Sequence, residues 1–253
     1  MKALVTGAAA GLGRALTLHL SGAGHKVLAI DRDKKGLDAL GLQYPSIQSS
    51  VCDLAETGSL PDVIEEWTSS GPFDCVVLNA GISATGRFER IPPQAHERVL
   101  AVNAVAPLII ASTLARLNAL SLNARLIFVS SLSHRTGYPG AASYAASKDA
   151  IAVYAKSITR PFARRGIHVM RVFPGPIRTD HAERHAPAGA RADRRMTPEE
   201  LANRILKAAA NRKRVVYPGA AARLTSVAGV LAPDALTAFM RRQLFEKLNR
   251  EVW

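Results

Sequence analysis

The sequence predicts an α/β fold in which a doubly wound parallel sheet of about seven strands carries helices on both faces. Short apolar runs of strand length alternate with helix-length segments along most of the chain. These runs are apolar throughout instead of alternating with polar residues, which is typical of strands covered on both faces.

Each element is predicted from its own apolar run or helical periodicity. The expected strands are 3–6, 27–30, 47–51, 73–78, 126–130, 167–173 and 215–217. The expected helices are 13–20, 94–118 and 143–164, with another that starts near Thr197 and is N-capped.

Composition is compatible with one large domain. Hydrophobic residues make up 48% of the 253 residues, which is enough to fill a core. We therefore expect a single domain over residues 1–253, with a loop region at 181–196 and a helical extension at 218–253. The loop region is expected to be mobile and to cover the substrate.

The strong basic charge does not by itself indicate a nucleic-acid partner. A total of 33 Lys and Arg against 20 Asp and Glu gives a net charge of +13. The basic residues are scattered and are not interleaved with aromatic residues, which favours a solvated surface. No nucleic-acid partner is therefore expected.

Targeting and cysteine patterns favour a reduced, cytoplasmic setting. No signal-peptide pattern precedes the first predicted strand. The longest apolar run, 99–115, contains Asn103 and stops at Arg116, so we expect a buried helix there rather than a membrane span. Cys52 and Cys75 lie in separate apolar segments, and neither a disulfide framework nor a metal site is expected.

A glycine-rich segment from Thr6 to Gly13 follows the first predicted strand and opens the first predicted helix. Glycines there let the backbone turn tightly and approach a pyrophosphate, while the helix N-terminus offers free N–H groups to the anion. Asp31 ends the second predicted strand, where a carboxylate can accept hydrogen bonds from a ribose 2′-hydroxyl. The expected dinucleotide contacts in this part are Gly7, Ala10, Gly11, Leu12, Gly13, Asp31 and Arg32.

A second pattern predicts acid/base chemistry. Tyr144 and Lys148 are four residues apart on a predicted helix, so their side chains share a face. A free tyrosine has a pKa of about 10, which is too high for efficient proton transfer near neutral pH, and a nearby ammonium lowers it. Ser131 follows strand 126–130 at the carboxyl edge of the sheet, where its hydroxyl could hold a substrate oxygen near the tyrosine.

In order and register, these motifs resemble the short-chain dehydrogenase/reductase family, in its compact single-domain branch with a Rossmann fold. The resemblance runs from residue 3 to about residue 180. It rests on the glycine-rich segment, Asn79-Ala80-Gly81, Asn103, Ser131, the Tyr144–Lys148 pair, Asp53-Leu54 and Pro-Gly-Pro-Ile-Arg-Thr at 174–179. Leu78 departs from the pattern, because the family often has a second asparagine there.

The resemblance implies an NAD(P)-dependent oxidoreductase that moves a hydride between nicotinamide and an alcohol or carbonyl carbon. The resemblance implies that Tyr144 is the general acid and base. It also implies that Lys148 lowers the pKa of Tyr144 and holds the nicotinamide ribose. Ser131 would polarise the carbonyl, and Asn103 would hold a water that links Lys148 to solvent. Further cofactor contacts are expected at Asp53, Leu54, Asn79, Ala80, Gly81, Pro174, Gly175, Ile177 and Thr179, with no metal.

NAD is the expected cofactor, and NADP is the alternative. Asp31 would repel a 2′-phosphate, and Ala10 stands where relatives that prefer NADP often carry a basic residue. Arg14 and Arg32 favour the opposite outcome, since an arginine can clamp a phosphate with two hydrogen bonds. We expect the carboxylate to dominate.

The substrate is expected to be a small alcohol or ketone of unspecified identity. Its pocket is expected to include Ser131, His134, Tyr138 and Pro176 together with loop 181–196. That loop carries Arg184, Arg191, Arg194 and Arg195, which would suit an anionic substrate or carrier, a solvated loop being the alternative.

Surplus apolar surface predicts assembly. Helices 94–118 and 143–164 are apolar over more than one face, which favours a homodimer or homotetramer. The extension has an apolar helical face opposite basic residues: Leu236, Phe239, Met240, Leu244 and Leu248 against Arg241, Arg242, Lys247 and Arg250. This face is expected to pack on its own domain or on a sister subunit, with a peripheral membrane contact as the alternative.

Two competing functions stay open. The first is a catalytically silent dinucleotide-binding regulator, which the complete Asn-Ser-Tyr-Lys set disfavours. The second, within enzymes, is an NADP-dependent carbonyl reductase.

Overall fold

The computed structural model describes residues 1–185, 193, 195–243, 245–247 and 251–253. Its strands are β1 (Lys2–Thr6), β2 (Lys26–Asp31), β3 (Ile47–Val51), β4 (Phe73–Leu78), β5 (Leu120–Val129), β6 (His168–Val172) and β7 (Val215–Val216). All pair in parallel in one sheet, in the order β3-β2-β1-β4-β5-β6-β7. The predicted fold class is thereby confirmed.

Eleven α-helices lie within the described residues. They are α1 (Gly11–Gly22), α2 (Lys34–Gln43), α3 (Leu60–Thr68), α4 (Pro93–Leu100), α5 (Ala106–Arg116), α6 (Ser133–Thr136), α7 (Ala142–Arg164), α8 (Asp180–Arg184), α9 (Pro198–Ala210), α10 (Ala220–Leu231) and α11 (Pro233–Gln243). Short 3-10 turns occupy Phe88–Arg90 and Phe245–Lys247.

Helices cover both faces of the sheet, as the apolar strands predict. On one face, Val5 of β1 packs in a core that includes Leu16 of α1 and Ile205 of α9. On the other face, Leu4 of β1 belongs to a core that includes Ile110 of α5. Neighbouring residues of β1 thus point to opposite layers, which is the alternation that a pleated strand requires.

The predicted long helix over 94–118 is present as the continuous helical segment Pro93–Arg116, with one local departure. A π-helical turn at Ala101–Val105 separates α4 from α5. Local widening of a helix is common where a side chain bonds outside the helix, and Asn103 does so here. The combined segment Pro93–Arg116 is long and apolar enough to span a membrane, but 56% of its most apolar window is buried inside the fold, as expected for a core helix.

The predicted loop at 181–196 begins as a helix instead. Thr179 caps α8, because its hydroxyl accepts a hydrogen bond from the Ala182 N–H at 3.1 Å. The structure therefore corrects the loop prediction for residues 181–184, which are helical. Residues 186–192 and 194, including Arg191 and Arg194, lie outside the described residues.

The extension forms two helices, α10 and α11, rather than one. Leu236 and Met240 of α11 are partly buried, whereas Phe239 is 58% exposed. Packing of this face on its own domain or on a sister subunit stays a prediction. Four apolar residues of α10 are exposed as well: Leu224, Val227, Val230 and Leu231. Leu244, Leu248, Arg250 and the side chain of Lys247 lie outside the described residues.

Candidate active site

The glycine-rich segment lies at the carboxyl end of β1, which pairs with β2 on one side and β4 on the other. Connections diverge at this point of the sheet, and such points form crevices for ligands. Gly7 has φ +68°, and a Cβ on Gly13 would lie 1.8 Å from the Gly7 carbonyl oxygen. Both positions therefore require glycine.

The N-terminus of α1 is suited to an anion. Within the described chain, no side chain caps this helix at Ala10, and its first turn has no acidic residue. The first N–H groups of α1 are thus left for an external acceptor, which fits a pyrophosphate. Leu12 is buried, so that part of the turn is anchored in the core.

Asp31 is held next to the same turn. Its carboxylate accepts hydrogen bonds from the backbone N–H groups of Ala9 and Asp33, each at 3.0 Å. The exposed Arg32 follows it. Arg14 donates to the side chain of Gln43 at 3.4 Å, so its guanidinium is drawn toward α2.

Asp53 follows β3 and forms an ion pair that the sequence reasoning missed. Arg98 donates to its carboxylate at 2.5 Å, and the Ala55 N–H donates at 3.0 Å. Burial alone would raise the pKa of Asp53, but these hydrogen bonds and the Arg98 charge hold it below its ordinary value. Its neighbour Leu54 is buried.

Asn79, Ala80 and Gly81 are tied to β1 by Thr6. The Thr6 hydroxyl accepts hydrogen bonds from the backbone N–H groups of Asn79 at 3.0 Å and Ala80 at 3.1 Å. The Asn79 amide donates back to the Thr6 carbonyl at 3.1 Å. At Gly81, an added Cβ would lie 3.0 Å from the Lys148 ammonium, so the absence of a side chain lets the lysine approach.

Ser131 and Tyr144 come together from different elements. Ser131 follows β5, and Tyr144 lies in the first turns of α7. The Ser131 side chain acts on Tyr144 and lowers its pKa. Burial has the larger effect and raises that pKa, so the pKa of Tyr144 stands above its ordinary value. The expected lowering of the tyrosine pKa is therefore not produced by the protein groups alone.

Lys148 is buried beside this pair. Lys148 is only 4% exposed, and its ammonium donates a hydrogen bond to the Val129 carbonyl at 3.0 Å. It lies 5.9 Å from the centre of the Tyr144 ring. Burial lowers the pKa of Lys148 to about 8, so most of its population is still protonated at neutral pH.

Asn103 is fully buried in the π-helical turn. Its Oδ1 accepts from the Ile82 N–H, and its Nδ2 donates to the Ile82 carbonyl and to the Ser147 hydroxyl. The side chain thus joins the loop after β4 to α7, one residue before Lys148.

The expected substrate residues divide into two groups. The Tyr138 ring packs edge-on to the Tyr144 ring, with centres 6.3 Å apart. His134 instead stacks on Phe173 at 4.2 Å and hydrogen-bonds the Tyr217 hydroxyl at 3.1 Å. Burial lowers the pKa of His134 to about 4, so this imidazole is neutral at physiological pH.

The segment after β6 lies over the glycine turn. The Pro174 carbonyl accepts from the Leu132 N–H at 2.9 Å, and Gly175 and Pro176 continue the segment. Ile177 forms a short parallel bridge with Met196. A Cβ added to Gly11 would lie 3.0 Å from the Thr179 methyl group, so the Thr179 side chain packs closely against the backbone of Gly11.

Comparison with known proteins identifies the family. The sequence pattern of the family described as short chain dehydrogenase matches residues 1–188. The 3-oxoacyl-acyl-carrier-protein reductase FabG of Escherichia coli (strain K12) is 32% identical over 183 residues, covering 70% of this chain and 74% of that protein.

The chain belongs to the short-chain dehydrogenase/reductase family. It is accordingly an NAD(P)-dependent oxidoreductase of CH–OH or C=O groups.

Solved structures share the fold of this dehydrogenase. A short-chain dehydrogenase from Sphingobium yanoikuyae in complex with NADPH superposes with a TM-score of 0.79 at 24% identity, covering 90% of this chain and 92% of that one. A 3-ketoacyl-(acyl-carrier-protein) reductase from Brucella melitensis complexed with NADH gives 0.72 at 23% identity, covering 82% and 90%.

The dehydrogenase has a further contact that the sequence reasoning missed. Thr85, in the loop after β4, exchanges two backbone hydrogen bonds with Val252, each 2.8 Å long. The Thr85 hydroxyl also lies 2.9 Å from His185 Nδ1, next to α8. A mostly apolar cavity of about 240 Å³ lies nearby, lined by Gly86, Phe88, Ile91, Pro139, Gly140, Ala142, Arg241 and Phe245. No local pattern at Thr85 or Val252 signals this pairing.

Proposed function

We propose that Tyr144 is the proton donor and acceptor of this oxidoreductase, acting on the oxygen of a small ketone or secondary alcohol. The observation that carries the proposal is the buried Lys148 ammonium 5.9 Å from the centre of the Tyr144 ring, with Ser131 close enough to Tyr144 to lower its pKa. A proton donor, a second hydroxyl and a cation thus meet at the carboxyl edge of the sheet.

Tyr144 and Ser131 have different roles at the substrate oxygen. When bound, the nicotinamide dinucleotide supplies or accepts the hydride at carbon. In reduction, Tyr144 donates its proton to the oxygen as negative charge develops there, and the Ser131 hydroxyl donates a hydrogen bond to the same oxygen. In oxidation, Tyr144 takes the proton from the alcohol.

Lys148 supports this proton transfer through its charge. A protonated ammonium near the tyrosine stabilises the phenolate that remains after the proton leaves. The fixed contacts of Lys148 with the Val129 carbonyl, and of Asn103 with Ser147, keep this part of α7 in place. Asn103 is therefore proposed to orient the site and to hold the water that connects Lys148 to solvent.

NAD is the proposed cofactor, ahead of NADP. The contacts of Asp31 with Ala9 and Asp33 support this choice, because they hold a carboxylate where a 2′-phosphate would have to lie. The same position suits a ribose diol. Among the solved structures of this fold, one contains NADPH and another contains NADH. The NADP-dependent carbonyl reductase remains the second candidate, favoured by the exposed Arg32.

Self-association is proposed through α4, α5 and α7. Val105 is 41% exposed beside α5, and Val153 on α7 is 56% exposed. Apolar surface of this kind on neighbouring helices supports a homodimer or homotetramer. A cytoplasmic location is proposed with it, since Cys52 and Cys75 are both free thiols.

A panel of ketones and alcohols assayed with NADH, NADPH and their oxidised forms tests the function. We expect turnover of at least one pair, faster with the NAD couple at subsaturating cofactor. If both dinucleotides bind but no member of a broad panel turns over, the catalytically silent regulator is the better interpretation.

A further inference from the structure

Arg195 has a defined place next to the site. Its neighbour Met196 bridges to Ile177, and the Met196 carbonyl accepts from the Arg178 N–H at 2.9 Å. A Cβ on Gly219 would lie 3.2 Å from the Met196 methyl, which shows how closely that side chain is packed. The backbone at Arg195 is therefore anchored beside the segment that follows β6.

One nitrogen of the Arg195 guanidinium is buried without an acceptor among the described residues. Its Nη1 is shielded from solvent, yet it makes no hydrogen bond with any residue in the part of the chain that the structure describes. A buried cationic donor without a partner costs free energy. Arg98, by contrast, is paired with Asp53. The unpaired nitrogen is therefore a donor that an acceptor from outside the described residues could satisfy.

Arg195 lies close enough to Tyr138 for its charge to act on that side chain. Burial raises the pKa of Tyr138, and the charge of Arg195 acts on Tyr138 in the opposite direction. The Tyr138 ring in turn packs edge-on to Tyr144. A group bound by Arg195 would therefore be near the Ser131–Tyr144 pair.

Two serine hydroxyls near the same pair are also unsatisfied. Ser133 Oγ and Ser143 Oγ are buried without a hydrogen-bond partner among the described residues. Ser133 follows Ser131 by two residues, and Ser143 directly precedes Tyr144. The two segments that carry Ser131 and Tyr144 thus each hold a hydroxyl that the described chain leaves unsatisfied.

We propose that Arg195 binds an anionic group of the substrate, a carboxylate or a phosphate, while the carbonyl oxygen of the same molecule lies at Ser131 and Tyr144. The inference rests on the proposed function and deepens it by naming the substrate class. Arginine suits this role because its planar donors match the oxygens of either anion with two hydrogen bonds.

Matched substrate pairs test the proposal and separate the two anions. The carboxylate pairs are acetoacetate with methyl acetoacetate and 4-oxopentanoate with its methyl ester. The phosphate pair is dihydroxyacetone phosphate with dihydroxyacetone. We expect kcat/KM of the wild-type enzyme to favour the anion by about tenfold or more in one kind of pair, mainly through KM, since hydrogen bonds to charged groups contribute about 1.5–3 kcal/mol.

Variants assign the preference to Arg195. In Arg195→Gln, the anion-to-neutral ratio should fall to near one, and Arg195→Lys should retain part of it. Arg164→Gln is the matched control, because this exposed arginine at the end of α7 loses the same charge and should keep the wild-type ratio. Equal turnover of anion and neutral substrate by the wild type, or an unchanged ratio in Arg195→Gln, overturns the proposal.

A binding measurement keeps this proposal distinct from the proposed function. Titration calorimetry of butanoate and of inorganic phosphate into the enzyme with saturating NAD requires no turnover. One of the two anions should bind about tenfold more weakly to Arg195→Gln than to the wild type. If no substrate is turned over but this difference is found, the acid/base proposal fails and the anion site stands. If neither anion binding depends on Arg195, the anion site fails.

Discussion

The side-chain amide of Asn103 pairs with both backbone groups of Ile82. The Ile82 N–H donates to Oδ1 and Nδ2 donates to the Ile82 carbonyl, each at 2.8 Å. The pair joins the π-helical turn to the loop that carries Asn79–Gly81, so one buried amide fixes two sides of the site.

Replacing this amide should destabilise the fold. Asn103→Ala leaves both backbone groups of Ile82 without their side-chain partner and removes one donor to the Ser147 hydroxyl, and we expect a loss of about 2 kcal/mol in the free energy of unfolding. Urea unfolding measures it. Asn211→Ala is the control, because the Asn211 side chain bonds only within an exposed helix end and its loss should cost less than about 0.5 kcal/mol. Equal losses in the two variants would contradict the structural role of Asn103.

The acid/base role is tested by Tyr144→Phe. The change keeps the ring but removes the transferable proton, so kcat should fall by about 100-fold or more. Cofactor affinity, measured by calorimetry, should be retained. Tyr154→Phe is the matched control, since Tyr154 lies further along α7 with its ring edge-on to Phe128, and it should keep its activity. Near-wild-type turnover of Tyr144→Phe would show that another group transfers the proton.

Cofactor preference should depend on Asp31. Dissociation constants should favour NAD in the wild type, and Asp31→Ala should weaken NAD binding and strengthen NADP binding, because the repulsion of the 2′-phosphate is removed. Asp38→Ala controls for the loss of a negative charge, since Asp38 is exposed and paired with Lys34 on α2. Tighter NADP binding by the wild type would reverse the assignment. An unchanged preference in Asp31→Ala would show that another residue discriminates.

Stability should depend on pH through Lys148. Burial lowers its pKa to about 8 from 10.5, so unfolding takes up a proton between these values. The cost of burying the charged lysine is therefore full below pH 8 and is lost as the pH rises toward 10.5.

Lys148→Met removes this titration. Relative to the wild type, the variant should gain free energy of unfolding at pH 7 and lose that gain, up to about 3 kcal/mol, by pH 10. Urea unfolding across this pH range measures the difference. Lys156→Met, at an exposed lysine of α7, should show a difference that does not change with pH. A pH-independent difference for Lys148→Met would mean that the buried amine does not titrate in this range.

Assembly should depend on two exposed valines, Val105 next to α5 and Val153 on α7. Light scattering at micromolar concentration should give a dimer or tetramer for the wild type. The double variant Val105→Asp, Val153→Asp should shift the mass toward the monomer, because charge cannot be buried unpaired in an apolar interface. Leu42→Asp, at an 89% exposed residue of α2, should leave the mass unchanged. A monomeric wild type would end this proposal.

The strands and the order of the motifs could be predicted because their signals are local. An apolar run such as 73–78 is buried on both faces wherever it lies in a parallel sheet, and the glycines around Gly7 and Gly13 reflect backbone contacts a few residues apart. The spacing of Tyr144 and Lys148 follows from helical geometry alone.

What could not be predicted depends on partners far apart in the sequence. The periodicity of 94–118 predicts the helix but not its π-helical turn, where Asn103 bonds to Ile82. His134 could face a substrate or the core, and only the positions of Phe173 and Tyr217 decide between them. The pairing of Thr85 with Val252 likewise joins residues that are far apart in the sequence.

The pairing of Thr85 with Val252 places the neighbouring Trp253 in an environment unlike that of Trp67. The protein has two tryptophans. Trp67 is 5% exposed and hydrogen-bonded to Ser50, whereas Trp253, next to Val252, is 56% exposed beside the loop that contacts α8. Water quenches and red-shifts the emission of the exposed indole, while the buried one is shielded. Intrinsic fluorescence can therefore follow changes at the loop that carries Thr85 without a label, with Trp67→Phe removing the background.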